Sequence, residues 1–393
     1  MKKLFIILFV LIIPEYCLAK GFIDLGDGSI LEYEIGNIDP ENFNGLAQGL
    51  SIIEDGKKLA EAESLVINSR SDSAIDSFKL TGFKLNESDD IPSLEIGSIM
   101  ITDFPTIIFN NPEKLSEGYY NFGLEHKNFS FDISDISIED KDFYLKIGSV
   151  SLPKILYVLS SAGNPYAKNS EFKINKLVGN AKPENIDAMP AHMVLAALGQ
   201  EAFEFDFRVK ANVDDRGLAF EMNTLMELSM KGGFGFDLNF KYNVPAELIV
   251  KLEGYAKQGY FNQESLQDDA AMQALGLNML SELGSIQLSK IEILLQDKGL
   301  RKPLLLMLSS NLGINEEETI QMAINALYSS LQAIIPQNVE KVEKSISEFL
   351  INGGKLKLTI SPPNPVPIMA AGGLLMMPDL AIESLGVSLN HIP

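Results

Sequence analysis

The sequence predicts an α+β fold with a long-stranded antiparallel β-rich N-terminal two-thirds and a helical C-terminal third packed on it. Three consecutive segments between Phe203 and Val244 alternate apolar and polar residues, which is the pattern of strands with one buried face. Beyond residue 263, apolar residues recur at helical spacing. We therefore divide the chain into residues 1–19, a β-rich region 20–262 and a mainly helical region 263–393 with a late strand. The last two regions are compatible with one continuous domain.

The first nineteen residues have the pattern of a secretory signal peptide. Lys2 and Lys3 precede an apolar run from Leu4 to Ile13, and Cys17-Leu18-Ala19 supplies small residues at the positions that a signal peptidase reads. The run is too short for a transmembrane helix, which takes about 20 residues. We expect cleavage after Ala19, export to a periplasm and no transmembrane segment in the mature chain. An uncleaved anchor is the alternative.

Charge and cysteine content narrow the classes of partner. The net charge is −21 at pH 7, and a polyanion repels phosphate backbones and anionic lipid headgroups. We therefore expect no nucleic acid partner. The single cysteine, Cys17, leaves with the signal peptide, so the secreted chain has to fold without a disulfide.

Short strands separated by turns are predicted from Phe22 to about Lys154. Within them, Ile96-Gly97-Ser98-Ile99 and Ile147-Gly148-Ser149-Val150 share a four-residue pattern. The match suggests an internal repeat of about fifty residues. A match this short also arises by chance, and both interpretations stay open.

A meander of three long strands is the clearest prediction. The strands run over Phe203–Val213, Leu218–Met230 and Phe234–Val244, with turns between them, and their apolar face is rich in Phe and Met. Either this face is a groove for acyl chains, to which the flexible methionine side chain is suited, or helices cover it and it is ordinary core. The candidate ligand-binding residues are Phe205, Phe207, Phe220, Met222, Met226, Phe236 and Leu238.

Helices dominate the last third. Apolar spacing predicts a helix over Glu264–Leu283. Asn315 followed by three glutamates predicts the start of another, with an N-cap and an acidic first turn that suits the helix dipole. Its buried face is predicted to comprise Ile320, Ile324, Leu327, Leu331 and Ile334.

The remaining elements follow in order. Pro336 restarts the helix, which ends at Gly353-Gly354, and Leu356–Ile360 alternates as a strand. The apolar stretch Ile368–Met377 is predicted to be buried, and Gly386–Ile392 to form a last short strand.

The sequence shows no recognisable catalytic, metal or nucleotide motif. His126, His192 and His391 lie at unrelated spacings, so a transition-metal site would need carboxylates from distant segments. Gly97-Ser98 and Gly148-Ser149 fall inside predicted strands, away from the exposed turn that a serine nucleophile needs. No twelve-residue calcium loop is present, although an acidic chain leaves calcium open. We expect no cofactor, no metal site and no enzymatic activity.

Two resemblances accompany these patterns. The C-terminal quarter resembles uncharacterised exported proteins of alphaproteobacteria over Asp297–Leu300, Glu316–Ile335 and Gly353–Ile360 leading into Pro365-Val366-Pro367. The β-rich remainder is similar in style to AsmA-like envelope proteins, although this chain lacks their long membrane anchor. The first resemblance implies no activity, and the second implies a β-sheet groove that holds lipid.

The sequence favours a non-enzymatic periplasmic protein that binds a lipid or other hydrophobic ligand on a one-sided β-sheet. The alternative is a structural or protein-interaction module of the cell envelope without a small-molecule ligand, acting through its acidic surface or a strand edge. A hydrolase would require a deep pocket that brings His192 beside a serine or carboxylate.

Overall fold

The fold is α+β and rich in strands, with a large antiparallel sheet, as the sequence predicts. The computed structural model describes residues 22–24, 29–38, 45–54, 56–71, 74–86, 92–105, 129–153, 155–161, 165–182, 185, 188–257 and 282–393. The predicted signal peptide lies outside the described residues. Among the helices of the described part, none is both long and apolar enough to cross a membrane.

The chain divides into two compact units. Met1–Leu159 with Asn164–Glu184 form the first, and Ser160–Gly163 with Asn185–Pro393 form the second. The sequence pattern instead places a boundary at residue 262, where strands give way to helices. The two divisions differ because the last strand of the meander forms backbone hydrogen bonds with a later strand beyond residue 286, which joins the meander to the C-terminal region.

The first unit consists of strands in its described residues, and every strand pairing in it is antiparallel. Across the sheet the order is β1–β2–β4–β5–β6–β7–β8–β9–β11–β10, and β3 also pairs with β4. The strands are β1 (Phe22–Asp24), β2 (Ser29–Glu32), β3 (Ile35–Ile38), β4 (Gly45–Glu54), β5 (Lys57–Ser71), β6 (Ala74–Leu85), β7 (Ser93–Pro105), β8 (Ser130–Glu139), β9 (Phe143–Leu152), β10 (Leu156–Leu159) and β11 (Pro165–Ala181).

Aliphatic and aromatic side chains form the core of the first unit. Phe78, Leu80 and Ile99 are among its most deeply buried residues, each with at most 1% of its surface exposed. Half-buried isoleucines of β8 extend this cluster. Burial of a side chain of this size stabilises a fold by about 1.5–3 kcal/mol, so the cluster supplies the stability that a disulfide-free unit needs.

Along one line across the sheet of the first unit, the strands depart from the strict alternation of buried and exposed residues. On β5, β6 and β7, two residues that are not buried separate successive buried ones: Ala62 and Leu65, Leu80 and Phe83, Ile96 and Ile99. Every second strand along this line has a residue with positive φ. These residues are Gly49, Gly82, Asp135 and Lys176. We call this line the crease.

Glycines make room for the larger residues of the crease. Gly97 of β7 lies opposite Asp135 of β8, and a Cβ atom added to Gly97 would come within 2.8 Å of the Asp135 Cβ atom. Gly148 of β9 lies opposite Asp135 on its other side. The two Ile-Gly-Ser-(Ile/Val) segments therefore occupy corresponding positions in β7 and β9, because each glycine faces a residue with positive φ.

The second unit begins its sheet with the predicted meander, which is confirmed. Its three strands are β12 (Phe203–Asp215), β13 (Ala219–Met230) and β14 (Phe234–Pro245). β15 (Gln287–Asp297) pairs with β14, and β16 (Lys355–Ile360) and β17 (Val366–Pro367) both pair with β15. β18 (Val387–Ile392) pairs with β16, and all of these pairings are antiparallel.

The helices of the second unit are interspersed with its strands along the sequence, and α1 precedes the first strand. The predicted helix over Glu264–Leu283 lies almost entirely outside the described residues. The described helices are α1 (Met189–Leu198), α2 (Ala246–Lys257), α3 (Arg301–Leu312), α4 (Glu316–Ile334), α5 (Val339–Asn352), α6 (Ile368–Leu375) and α7 (Pro378–Ser384).

The predicted N-cap of α4 is confirmed. The Glu318 backbone N–H donates to the Asn315 Oδ1 atom at 2.8 Å, and the Asn315 N–H donates to the Glu318 Oε2 atom at 3.1 Å. This reciprocal pair is a capping box. The predicted buried face is only partly right: four of its members are half-buried, but Ile334 is exposed, since it occupies the last turn of the helix.

Candidate functional site

The sheet of the second unit has one continuous apolar face, and the strand register shows which residues belong to it. Residues directly opposite each other on neighbouring strands share a face. One row of opposed residues runs Phe207, Leu228, Phe236, Leu295 and Leu356. The next row runs Val209, Met226, Leu238, Ile293, Leu358 and Leu389. The apolar face thus extends from β12 to β18.

All seven candidate residues lie on this face. Phe220 is buried, with 5% of its surface exposed. The others are half-buried: Phe205, Phe207, Met222, Met226, Phe236 and Leu238. Their partial exposure means that each side chain retains surface for contact with a further apolar group.

An apolar cavity of about 320 Å³ lies at one end of the face. The sheet contributes one wall, and the other comes from α6, from Ile286 before β15 and from Leu385 after α7. The sheet residues are Phe240, Tyr242, Leu288, Ile291 and Ile360, and the remaining lining residues are Ile286, Ile368, Ala371, Gly372 and Leu385. Nothing in this lining offers a charge.

The structure brings only part of the predicted site to the cavity. None of the seven candidate residues lines it, but Met222 lies opposite Tyr242, which does. The missed residues had a signal in the sequence. Phe240 and Tyr242 continue the alternation of Phe236 and Leu238, and β15 alternates in the same way.

A small buried cluster fixes the helical wall against the sheet. Leu288 of β15 packs with Ala371 of α6, Ala381 of α7 and Leu385, which are at most 6% exposed. Backbone bonds reinforce the arrangement, since the Ile368 N–H donates to the Ile286 carbonyl oxygen at 2.9 Å. α6 is therefore anchored on its inner side.

The outer side of α6 is exposed, which contradicts the burial predicted from the sequence. The stretch Ile368–Met377 is not buried as a whole: Ala371 is buried, but Met369 is 57% exposed and Met376 is 84% exposed. The sequence-based interpretation was wrong because an apolar run in a short helix has two sides, and only one of them faces the sheet.

Glycine leaves the cavity open at one point of α6. A Cβ atom added to Gly372, which lines the cavity, would meet no heavy atom within 4 Å, and the same is true of its neighbour Gly373, which does not line it. Neither glycine has a positive φ, so both positions accept other residues without backbone strain.

The opposite face of the same sheet is polar, and its charged side chains form ion pairs. The Lys241 Nζ atom lies 2.7 Å from the Glu221 Oε1 atom, and Glu292 contacts both Lys290 and Lys357. The hydrogen bond from Lys241 lowers the pKa of Glu221, and the bond from Lys357 lowers that of Glu292. A polar depression of about 400 Å³ on this face is lined by such residues. An apolar ligand gains nothing there.

One carboxyl group on the polar face has a raised pKa, in contrast to Glu221 and Glu292. Asp237 lies directly opposite Glu227, whose partner is Arg208 at 3.2 Å. Burial raises the pKa of Asp237, and the negative charge of Glu227 raises it further, while Lys298 and Lys355 oppose the change. This group sits away from the apolar cavity, on the other side of the sheet.

The candidate catalytic and metal groups are dispersed. His192 lies on α1, whereas the His391 Nε2 atom on β18 lies 2.8 Å from the Gly353 carbonyl oxygen; His126 is outside the described residues. Within the described ranges, no group of three or more His, Cys, Asp or Glu residues is placed to hold a metal ion.

Fold and site together define an antiparallel-sheet protein with an apolar cavity under a short helix. A family model described as "Uncharacterized protein" matches residues 221–391, which is less than half of the chain. The matched segment contains every residue that lines the cavity. No curated protein matches the chain.

Proposed function

We propose that this is a non-enzymatic periplasmic protein that binds a lipid or another hydrophobic ligand, with an apolar chain of the ligand in the cavity beneath α6. The cavity carries the proposal. Its volume of about 320 Å³ falls at the lower end of the range of small-molecule sites, and its walls are apolar or aromatic. Pockets with predominantly apolar walls bind apolar ligands.

The apolar walls of the cavity favour an apolar ligand. Each methylene group buried from water contributes about 0.8 kcal/mol to binding, so an acyl chain gains affinity without any polar contact. A charged headgroup would find no oppositely charged partner among the lining residues, so we expect it to stay outside the cavity. The site therefore fits the chain of a lipid and leaves its headgroup in water.

The apolar face beyond the cavity supports a longer ligand. Met222 and Met226 are half-buried and continue the face away from Tyr242. We propose that the C-terminal helices pack over this face and form a groove with it, as α6 does at the cavity end. The export signal in residues 1–19 supports a periplasmic location, where such a protein would meet envelope lipids.

Filling the cavity tests the proposal. Gly372→Leu adds a side chain at a residue that lines the cavity, where a Cβ atom would meet no heavy atom within 4 Å, and Gly373→Leu adds the same side chain at the next residue, which does not line it. Each replacement removes a helical glycine, which favours the helix by up to about 1 kcal/mol, so both variants should fold. We expect Gly372→Leu to weaken binding of the fluorescent apolar probe phenylnaphthylamine about tenfold or more, since its binding energy depends on buried area.

The control separates the outcomes. Gly373→Leu should bind the probe like the original chain. Equal probe affinity in all three proteins would contradict binding in this cavity.

The alternative function is a protein-interaction module without a small-molecule ligand. It is favoured by the outer surface of α3, where Leu306, Leu308 and Leu312 are each about half exposed. Absence of probe binding by the original chain would favour this alternative.

A further inference from the structure

The outer side of α6 and α7 is apolar as well as the inner side. Met369, Met376, Met377 and Leu380 are exposed by 57%, 84%, 53% and 45%. Met369 lies on α6, Met376 and Met377 lie in the turn between α6 and α7, and Leu380 lies on α7. We call these four residues the methionine patch. Contiguous exposed apolar surface of this kind marks a site of interaction rather than ordinary protein surface.

One residue of the patch, Met369, is adjacent in sequence to the cavity residue Ile368. Ile368 lines the cavity and is also 42% exposed, beside Met369. Gly372 lines the cavity in the next turn of the same helix. A ligand that leaves the cavity past Ile368 therefore reaches the patch directly.

Charge indicates the nature of the partner. From Ser361 to Pro378 the chain has no charged residue, and the Asp379 Oδ1 atom accepts a hydrogen bond from Asn338 at 3.1 Å. The whole chain carries a net charge of −21, so it gains no electrostatic attraction to anionic lipids. Any attachment to a bilayer has to come from insertion of apolar side chains, for which flexible methionines are suited.

We infer that the methionine patch docks the protein on a weakly charged lipid bilayer and places the mouth of the cavity at the membrane surface. The inference rests on the proposed function, because it supplies the path between a bilayer and the cavity. A partner protein is less well matched, since the patch adjoins a cavity that a lipid chain fits and offers a partner no charge for orientation.

Vesicle flotation tests the inference. The chain purified from the periplasmic fraction is mixed with phosphatidylcholine vesicles, and the bound fraction is compared with that of the double variant Met376→Glu, Met377→Glu. Two carboxylates in place of two inserted side chains should lower the bound fraction about tenfold or more. The original chain should bind equally at low and high salt, and less well to vesicles that contain phosphatidylglycerol.

A matched control uses two other exposed methionines. Met189 and Met193 of α1 are 62% and 51% exposed, and neither lines the cavity. Met189→Glu, Met193→Glu introduces the same charges and should leave flotation unchanged. Equal loss in both double variants would show a general charge effect and overturn the inference.

Probe binding without vesicles keeps the two proposals apart. The Met376→Glu, Met377→Glu variant should bind phenylnaphthylamine like the original chain, because neither residue lines the cavity. A chain that binds the probe but does not float with vesicles keeps the proposed function and loses membrane docking. A concentration-dependent dimer that the same double variant abolishes would assign the patch to a second copy and overturn the inference.

Discussion

Met222 of β13 lies directly opposite Tyr242 of β14, and Tyr242 forms part of the cavity wall. This pairing joins the face rich in phenylalanine and methionine to the cavity beneath α6. A single apolar surface therefore includes both the residues that the sequence singles out and those that it does not. The groove and core interpretations predict different effects of a charged residue at Met222. A groove predicts loss of ligand binding with the fold intact, and a core predicts loss of the fold.

Met222→Glu tests which interpretation holds. If this part of the face is a groove, a carboxylate beside Tyr242 should lower probe affinity about tenfold or more while the circular dichroism spectrum stays unchanged, since an apolar ligand cannot solvate the charge. The control is Asn223→Glu, on the polar face opposite Lys241, which should bind normally. A variant that no longer folds would mark Met222 as core.

The contact between Gly97 and Asp135 in the crease of the first unit predicts that a substitution at one residue compensates for a substitution at the other. Gly97→Val brings a side chain against the Asp135 Cβ atom, which lies 2.8 Å from the ideal Cβ position, and should destabilise the unit by about 1–3 kcal/mol. Asp135→Gly removes that obstacle, and glycine accepts the φ of 54° found there.

Urea unfolding of the two single variants and the double variant measures the coupling. We expect Asp135→Gly to restore much of the stability that Gly97→Val loses, which appears as a non-additive free energy of unfolding. Strictly additive effects would show that the two residues do not share the crease as described.

Asp237→Asn predicts a change in how stability depends on pH. Burial and the Glu227 charge raise the pKa of Asp237, so the folded protein holds this proton more tightly than the unfolded chain. The charged carboxylate therefore costs stability above its folded pKa, and the cost disappears as pH falls below the pKa of the unfolded chain.

The measurement is the urea midpoint as a function of pH. Asp237→Asn should raise the midpoint at neutral pH and leave it unchanged in acid. Asp206→Asn, an exposed residue on the neighbouring part of the polar face for which the same gain is not expected, is the comparison. A lower midpoint for Asp237→Asn at neutral pH would mean that the attraction of Lys298 and Lys355 outweighs burial.

The meander was predictable because its information is local. Alternation between Phe203 and Val244 defines the strands, and the turns between them are short. The pairing of β14 with β15 was not predictable in the same way, since 41 residues separate Pro245 from Gln287 and no local pattern specifies which edge they share.

The cavity was missed for a related reason. Its helical wall comes from a short apolar segment whose sequence indicates burial but not which side is buried. The crease was only hinted at by the two Ile-Gly-Ser segments. A positive φ at Asp135 or Lys176 is a property of the sheet, because the neighbouring glycines leave the room that makes it possible.

Native mass spectrometry of the chain purified from the periplasm under mild conditions, followed by extraction into organic solvent, tests ligand binding most directly. We predict a stoichiometric adduct that extracts as a lipid or another hydrophobic molecule, and that Gly372→Leu loses while Gly373→Leu retains it. The mass of the bare polypeptide in all three proteins would contradict the account and leave the apolar face as core.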